Sequence, residues 1–227
     1  MIGVRSVNKN YLCVFDFESG GRDPRKCQLT QIGALIVHPR SLKVVDQFNQ
    51  ECCPEFDDEK AIALGLDPVS DEALQVTRKT REHLLTQPPE RIVFEKFVSF
   101  IKKYTIGTGS YGAPIPCGYN IINFDMKITE RLQEMYKVKS LFNTLNKIDF
   151  YDHFWFWTEN NPDIQARKLS NAGEWMGLPE EMMANAHDAM VDVRITANCI
   201  LKMLHFTRDI GKKTQFSKAF AGGKLLA

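Results

Sequence analysis

Apolar and polar positions alternate along this chain with two distinct periods. Residues 11–19 form a dense run of aliphatic and aromatic side chains closed by Gly20-Gly21, which predicts a strand. Residues 27–38, where Gln-Ile-Gly-Ala-Leu-Ile-Val is stopped by Pro39, predict a second strand, and residues 44–51 a third. Their connections are short, so the three are expected to form an antiparallel meander. From Asp71 the period lengthens. Leu74, Leu84 and Leu85 mark a helical stretch weakened in its middle by Thr77 and Thr80 and broken by Pro88-Pro89. Ile92, Phe94, Phe97, Ile101 and Tyr104 then recur at helical spacing. A Gly/Pro loop over 107–116 runs into a short strand, 115–121, and Phe124, Ile128, Leu132 and Met135 predict a helix from Asn123. Residues 149–157 are aromatic-rich, and residues 169–177 predict a short helix. The last strong helix is expected from about 188 to 204, with Met190, Val193, Ala197, Ile200 and Leu204 as its apolar stripe. Strands first, then strands mixed with helices, predict an α/β fold, a mixed sheet covered by helices.

Composition narrows this picture without redirecting it. The 227 residues, 44% apolar and 25% charged, are those of an ordinary globular domain with a sizeable core. A net charge of +1 excludes a chain coated in basic residues, so any nucleic-acid surface must be a local patch. There is no apolar run of membrane-spanning length, and residues 1–10 lack the apolar centre of a signal peptide; a cytoplasmic protein with no membrane association is expected. Cys13, Cys27, Cys52, Cys53, Cys117 and Cys199 form no CxxC pair and no zinc spacing, in keeping with free thiols in a reducing compartment. Residues 1–206 are expected to be one domain. Residues 207–227 carry Arg208, Lys212, Lys213, Lys218 and Lys224 against Asp209 alone, and predict a flexible basic tail.

Candidate chemistry lies in the acids. Asp16 and Glu18 interrupt the first strand, and side-chain alternation places both on one face with Leu12 and Val14, leaving Phe15 and Phe17 on the other. Two buried carboxylates this close repel each other. Either a cation such as Arg22 or Arg25 rescues them, or they are hard oxygen ligands for a metal ion. Asp125 falls in the first turn of its helix, where an acid meets the macrodipole favourably. Asp192 lies near the start of the final helix and shares a face with Asp188, and His187 precedes that helix. Taken singly, each of these has an ordinary surface or capping reading.

Together the three segments resemble the three exonuclease motifs of the DEDDh family of 3′→5′ exonucleases. Asp16-Phe17-Glu18 matches the first, Asn120-Ile-Ile-Asn-Phe124-Asp125 the second, and His187-Asp-Ala189-Met-Val-Asp192 the third. Connecting pieces are similar too: Gln31-Ile-Gly-Ala-Leu, Ile148-Asp149, and Lys168-Leu169 leading to Met176-Gly177-Leu178. The resemblance covers roughly residues 10–205, and the Gly118-Tyr-Asn and His187 segments look most like the nuclease core of exonuclease I. One departure is Ser19-Gly20-Gly21, which stands where a Thr-containing turn often follows the first motif.

The resemblance implies an RNase H-like mixed five-stranded sheet flanked by helices. It implies two Mg²⁺ or Mn²⁺ ions, with Asp16 bridging both, Glu18 and Asp192 holding the ion that activates water, and Asp125 supporting the second; such pairs sit about 3.5–4 Å apart. His187 becomes the general base, Asp188 a neighbour only, and His153 a core or surface histidine. Substrate contacts are expected from Phe17, Ser19, Gly20, Leu29, Asn120 and Phe124, with Leu29 wedging against bases, while Arg22, Arg25 and Lys26 are candidates for phosphates. The implied substrate is single-stranded nucleic acid, DNA in preference to RNA. An exoribonuclease that trims RNA 3′ ends, a polymerase proofreading subunit and a non-enzymatic binding module are the alternatives. The basic tail is a candidate for binding a replication or repair partner.

Overall fold

The strand that carries Asp16 and Glu18 runs through the middle of the sheet. In the computed structural model, which describes residues 8–164, 166–183 and 187–214, the strands are β1 (Leu12–Ser19), β2 (Leu29–Val37), β3 (Val44–Glu51), β4 (Ile115–Gly118) and β5 (Ile148–Asp149). Their order is β3-β2-β1-β4-β5. β1, β2 and β3 form the expected antiparallel meander, while β4 runs parallel to β1 and β5 parallel to β4. Every residue of β2 is buried, as its continuous apolar run requires, whereas β3 shows exposed positions along its length, as an edge strand does.

Helices cover both faces. They are α1 (Asp58–Ala63), α2 (Asp71–Thr77), α3 (Arg81–Leu85), α4 (Glu90–Lys102), α5 (Asp125–Met135), α6 (Phe150–Thr158), α7 (Leu169–Trp175), α8 (Glu180–Met183) and α9 (Ala189–Thr214). On one face Phe15 and Phe17 pack with Phe94, Phe97 and Ile101 of α4 and Ile128 and Leu132 of α5. On the other, Leu12 and Val14 pack with Phe150 and Phe154 of α6 and Val193 and Ile200 of α9. The alternation read from β1 therefore assigns both faces correctly.

Three elements differ from the sequence reading, each for a local reason. The helical stretch from Asp71 is two helices. Arg78 adopts a left-handed conformation (φ 56°) that ends α2, and the Thr80 hydroxyl then caps α3 by accepting the His83 N–H. The strand expected over 115–121 stops at Gly118, because the chain turns at Asn120 (φ 59°). The final helix continues to Thr214, where Lys212 and Lys213 suit its negative end. The Arg208 guanidinium donates to the carbonyls of Pro39 and Arg40, so the first part of the expected tail is docked helix; residues 215–227 lie outside the described residues. All six cysteines are free, and among the described residues no helix is long and apolar enough to cross a membrane.

Candidate active site

Asp16 and Glu18 stand at the carboxyl end of β1, opposite Gly33 and Gln31 of β2. Gly33 decides how closely the next element approaches. A Cβ at this position would lie 2.8 Å from the carbonyl carbon and oxygen of Ala189, so the first turn of α9 rests directly on the β2 backbone. That contact brings Asp192 over β1. Carboxylate oxygens of Asp16, Glu18 and Asp192 all lie within 4.8 Å of one another.

Asp125 stands beside this trio. It is the first residue of α5, 2% exposed, and its Oδ1 accepts the Phe17 N–H at 2.8 Å. The β4–α5 turn that presents it is pinned by Asp149, whose Oδ1 accepts the Asn120 N–H at 2.6 Å and whose Oδ2 accepts the Ile122 N–H at 3.1 Å. His187 lies at the start of α9, in a left-handed conformation (φ 74°). Its N–H donates to Asp192 Oδ2 at 3.2 Å, and its side chain is exposed.

Burial, then repulsion from Asp125, Glu18 and Asp192, pushes the Asp16 carboxyl well above the usual carboxylate range. Burial and Asp192 push Glu18 up to about 8, with nearby Lys79 opposing. Burial raises Asp125 to about 7 against the Phe17 hydrogen bond, and Asp192 to about 6 against the His187 N–H. These acids cannot all ionise near neutral pH without added positive charge. Asp192 Oδ1 is in addition buried with no hydrogen-bond partner among the described residues. Converging hard oxygen donors and an orphaned carboxylate oxygen fit a divalent cation.

Two hollows flank the acids. One, of about 500 Å³, is lined by Glu18, Ser19, Gly20, Val76, Thr77 and Phe124, and Phe17 and Arg22 also border it. The other, of about 590 Å³, is lined by His187, Asp188, Lys79, His83, Glu51 and Thr77. Of the expected substrate contacts, Phe17, Ser19, Gly20 and Phe124 thus share one cavity, and Asn120 lies in the turn leading to Phe124. Leu29 does not belong there. Its side chain is 0% exposed inside the core, and its N–H donates to buried Glu90, so it cannot wedge against a base. The Phe17 and Gly20 amides are also engaged, the latter by the Gln28 carbonyl at 2.9 Å.

Arg22 does not neutralise the acid pair; it bridges to exposed Glu72 at 2.6 Å. The cation that faces Glu18 is Lys79, which the sequence reading missed because a lone lysine at the weak middle of a helical stretch carries no periodic signal. Asp188 is a cap for α9, its Oδ1 accepting the Met190 and Val191 N–H groups at 3.0 and 3.1 Å.

The family model described as Exonuclease, of the RNase T type, matches residues 13–200. Among solved structures, cell-death related nuclease 4 superposes with a TM-score of 0.67 at 16% identity, over 87% of this chain and 64% of that one. Escherichia coli exonuclease I in complex with a dT13 oligonucleotide gives 0.66 at 17% identity, over 91% of this chain and 43% of that one. The nuclease domain of 3′hExo, a DEDDh family member bound to rAMP, gives 0.65 at 17% identity, over 87% and 93%. The chain thus spans less than two thirds of the first two proteins, and at these identities what is shared is the RNase H-like fold. No curated protein matches in sequence. The chain belongs to the Exonuclease family, and Asp16, Glu18, Asp125, His187 and Asp192 all lie within the matched span.

Proposed function

We propose that this protein removes nucleoside monophosphates from the 3′ end of single-stranded nucleic acid, DNA in preference to RNA, using two Mg²⁺ or Mn²⁺ ions. The observation that carries this reading is the convergence of Asp16, Glu18 and Asp192 within 4.8 Å, next to Asp125 and His187 and at the rim of a nucleotide-sized cavity. The preference for DNA rests on the likeness of Gly118-Tyr119-Asn120 and of the His187 segment to exonuclease I.

Asp16, Glu18 and Asp192 would hold the cations, with Asp125 in support; when bound, they neutralise the scissile phosphate and acidify water. The chain's own groups do the rest. The terminal nucleotide lies in the cavity between Ser19, Gly20, Val76 and Phe124, where Phe124 offers a face for stacking. His187, exposed at the edge of the acids, takes a proton from the attacking water. Water oxygen bonds to phosphorus, the bond from phosphorus to the 3′ oxygen of the penultimate nucleotide breaks, and that oxygen is protonated as it leaves. The hydrogen bond from the His187 N–H to Asp192 couples the position of the base to that of a ligand.

The direct test is digestion of matched 3′- and 5′-labelled single- and double-stranded DNA and RNA, with Mg²⁺, with Mn²⁺ and with chelator. Mononucleotide release from unblocked 3′ ends is expected, fastest on single-stranded DNA and abolished by chelation or by Asp16→Ala. Metal-free release would sink the scheme. Faster release from RNA would replace the substrate assignment while keeping the reaction.

A further inference from the structure

Lys79 occupies the turn between α2 and α3 with only 5% of its side chain exposed, a costly place for an ammonium whose donors are not used. Its Nζ donates to Gln31 Oε1 at 2.8 Å and lies 3.6 Å from Glu51 Oε1. The Gln31 carboxamide, itself buried, is engaged at both ends. Oε1 also accepts the Ala189 N–H at 3.4 Å, while Nε2 donates to Asp188 Oδ2 at 3.1 Å and to Asn49 Oδ1 at 2.9 Å. Asp188 passes the connection on. Its side chain caps the first turn of α9, and its carbonyl accepts the Asp192 N–H at 3.0 Å.

The direction of these bonds is not arbitrary. An ammonium only donates, so Lys79 obliges Gln31 to turn its oxygen inward and its NH₂ towards Asp188. The opposite orientation would set that NH₂ against both the ammonium and the Ala189 N–H, and would leave Asp188 Oδ2 facing an oxygen. Within a buried chain each bond also polarises the next.

We propose, building on the exonuclease reading above, that Lys79 is a positioning residue of the hydrolytic site: through Gln31 and Asp188 it sets the first turn of α9, and with it His187 and Asp192, against β1. The same lysine follows directly on α2, whose Val76 and Thr77 line the nucleotide cavity. The cavity wall and the catalytic turn are thereby joined to one strand residue. Lys79 acts on the reaction through geometry and touches no substrate.

The 227-residue chain is compared as wild type, Lys79→Met, Lys79→Arg, Gln31→Glu and the double variant Gln31→Glu/Asp188→Asn. The readouts are kcat and KM on a 3′-labelled oligonucleotide, Mn²⁺ affinity from the spectroscopic signal of free Mn²⁺, and thermal unfolding. Lys79→Met is expected to lower kcat by about 10–100-fold with KM near the wild-type value, and Lys79→Arg, which keeps a donor, to recover part of the loss. Gln31→Glu removes the donor to Asp188 and should cost as much. Asp188→Asn on that background supplies an amide donor in the reverse direction and should restore turnover by about tenfold. A folded Lys79→Met variant with kcat within about twofold of wild type overturns the proposal, as does a rise confined to KM, the mark of a phosphate contact. If Lys79→Met does not fold, failure of Asp188→Asn to improve on folded Gln31→Glu overturns it. A wild-type chain that releases no nucleotide from any substrate overturns the exonuclease reading instead. In that case Mn²⁺ affinity decides for Lys79: loss in Gln31→Glu and recovery in the double variant sustain it, and equal affinities refute it.

Discussion

At Asp192 the two oxygens of one carboxylate meet different surroundings. Oδ2 accepts the His187 N–H, while Oδ1 is buried with no partner among the described residues. One oxygen thus anchors the turn that carries His187, the proposed base, and the other is available to a cation. The separation of roles gives His187 a specific test. His187→Ala leaves the three converging carboxylates untouched, so Mn²⁺ affinity should stay near wild type while turnover falls by about 10²–10⁴-fold. An unchanged pH–rate profile in that variant would remove His187 as the base. Residue identity alone made Asp16, Glu18, Asp125, His187 and Asp192 legible, because each stands in a motif of fixed spacing. It misled at Leu29, where an apolar side chain at the start of the second strand turned out to face the core. Whether an apolar group lines a cavity or fills a core depends on what packs over it, and nothing within a few residues of Leu29 records that.

At the level of elements, the site is an intersection. β1 supplies two carboxylates from alternate positions, α5 supplies one at its first residue, and α9 supplies one in its first turn. The approach of α9 depends on Gly33, where a Cβ would meet Ala189 backbone atoms at 2.8 Å. Backbone cannot yield as a flexible side chain does. Gly33→Ala is therefore expected to destabilise the fold by about 1–3 kcal/mol and to lower turnover by about 10²-fold through displacement of Asp192. Denaturant titration and single-turnover rates measure the two effects, and wild-type turnover in a destabilised variant would show that α9 does not set the site. Four of the strands and the helices α4, α5, α7 and α9 follow from the apolar pattern, whereas β5, α1 and α8 do not. The split of α2 from α3 does not, since it rests on a left-handed Arg78 and a Thr80 cap.

For the molecule as a whole, gathering these acids on one strand end makes stability depend on pH and on cations. Burial, with lesser repulsion from neighbouring acids (Asp192 for Glu18, Asp149 for Asp125, Asp188 for Asp192), pushes Glu18, Asp125 and Asp192 up to about 8, 7 and 6. Their unfolded values are about 4. Between those limits the folded chain without cations binds more protons than the unfolded chain, so stability falls as pH rises from about 4 to about 8. The expected result in chelator is a lower Tm at about pH 8 than at about pH 5.5, and a rise in Tm on adding Mg²⁺ or Mn²⁺ that is larger at the higher pH. A chelated protein more stable at the higher pH would refute this account of the acids.

What the amino-acid sequence determined by itself is the part governed by local rules. Alternation in β1 puts Asp16 and Glu18 on one face, helical spacing marks the main elements that cover the sheet, and the three motifs single out the acids that the fold brings together. Tertiary structure alone decided which groups meet. It made Asp188 a cap tied to Gln31, engaged the Phe17 and Gly20 amides, and carried Lys79 across 48 positions of chain to the Gln31 carboxamide. The physical reason is that burial and hydrogen-bond partnership belong to pairs of residues distant in sequence, and the local pattern around either partner does not record the other.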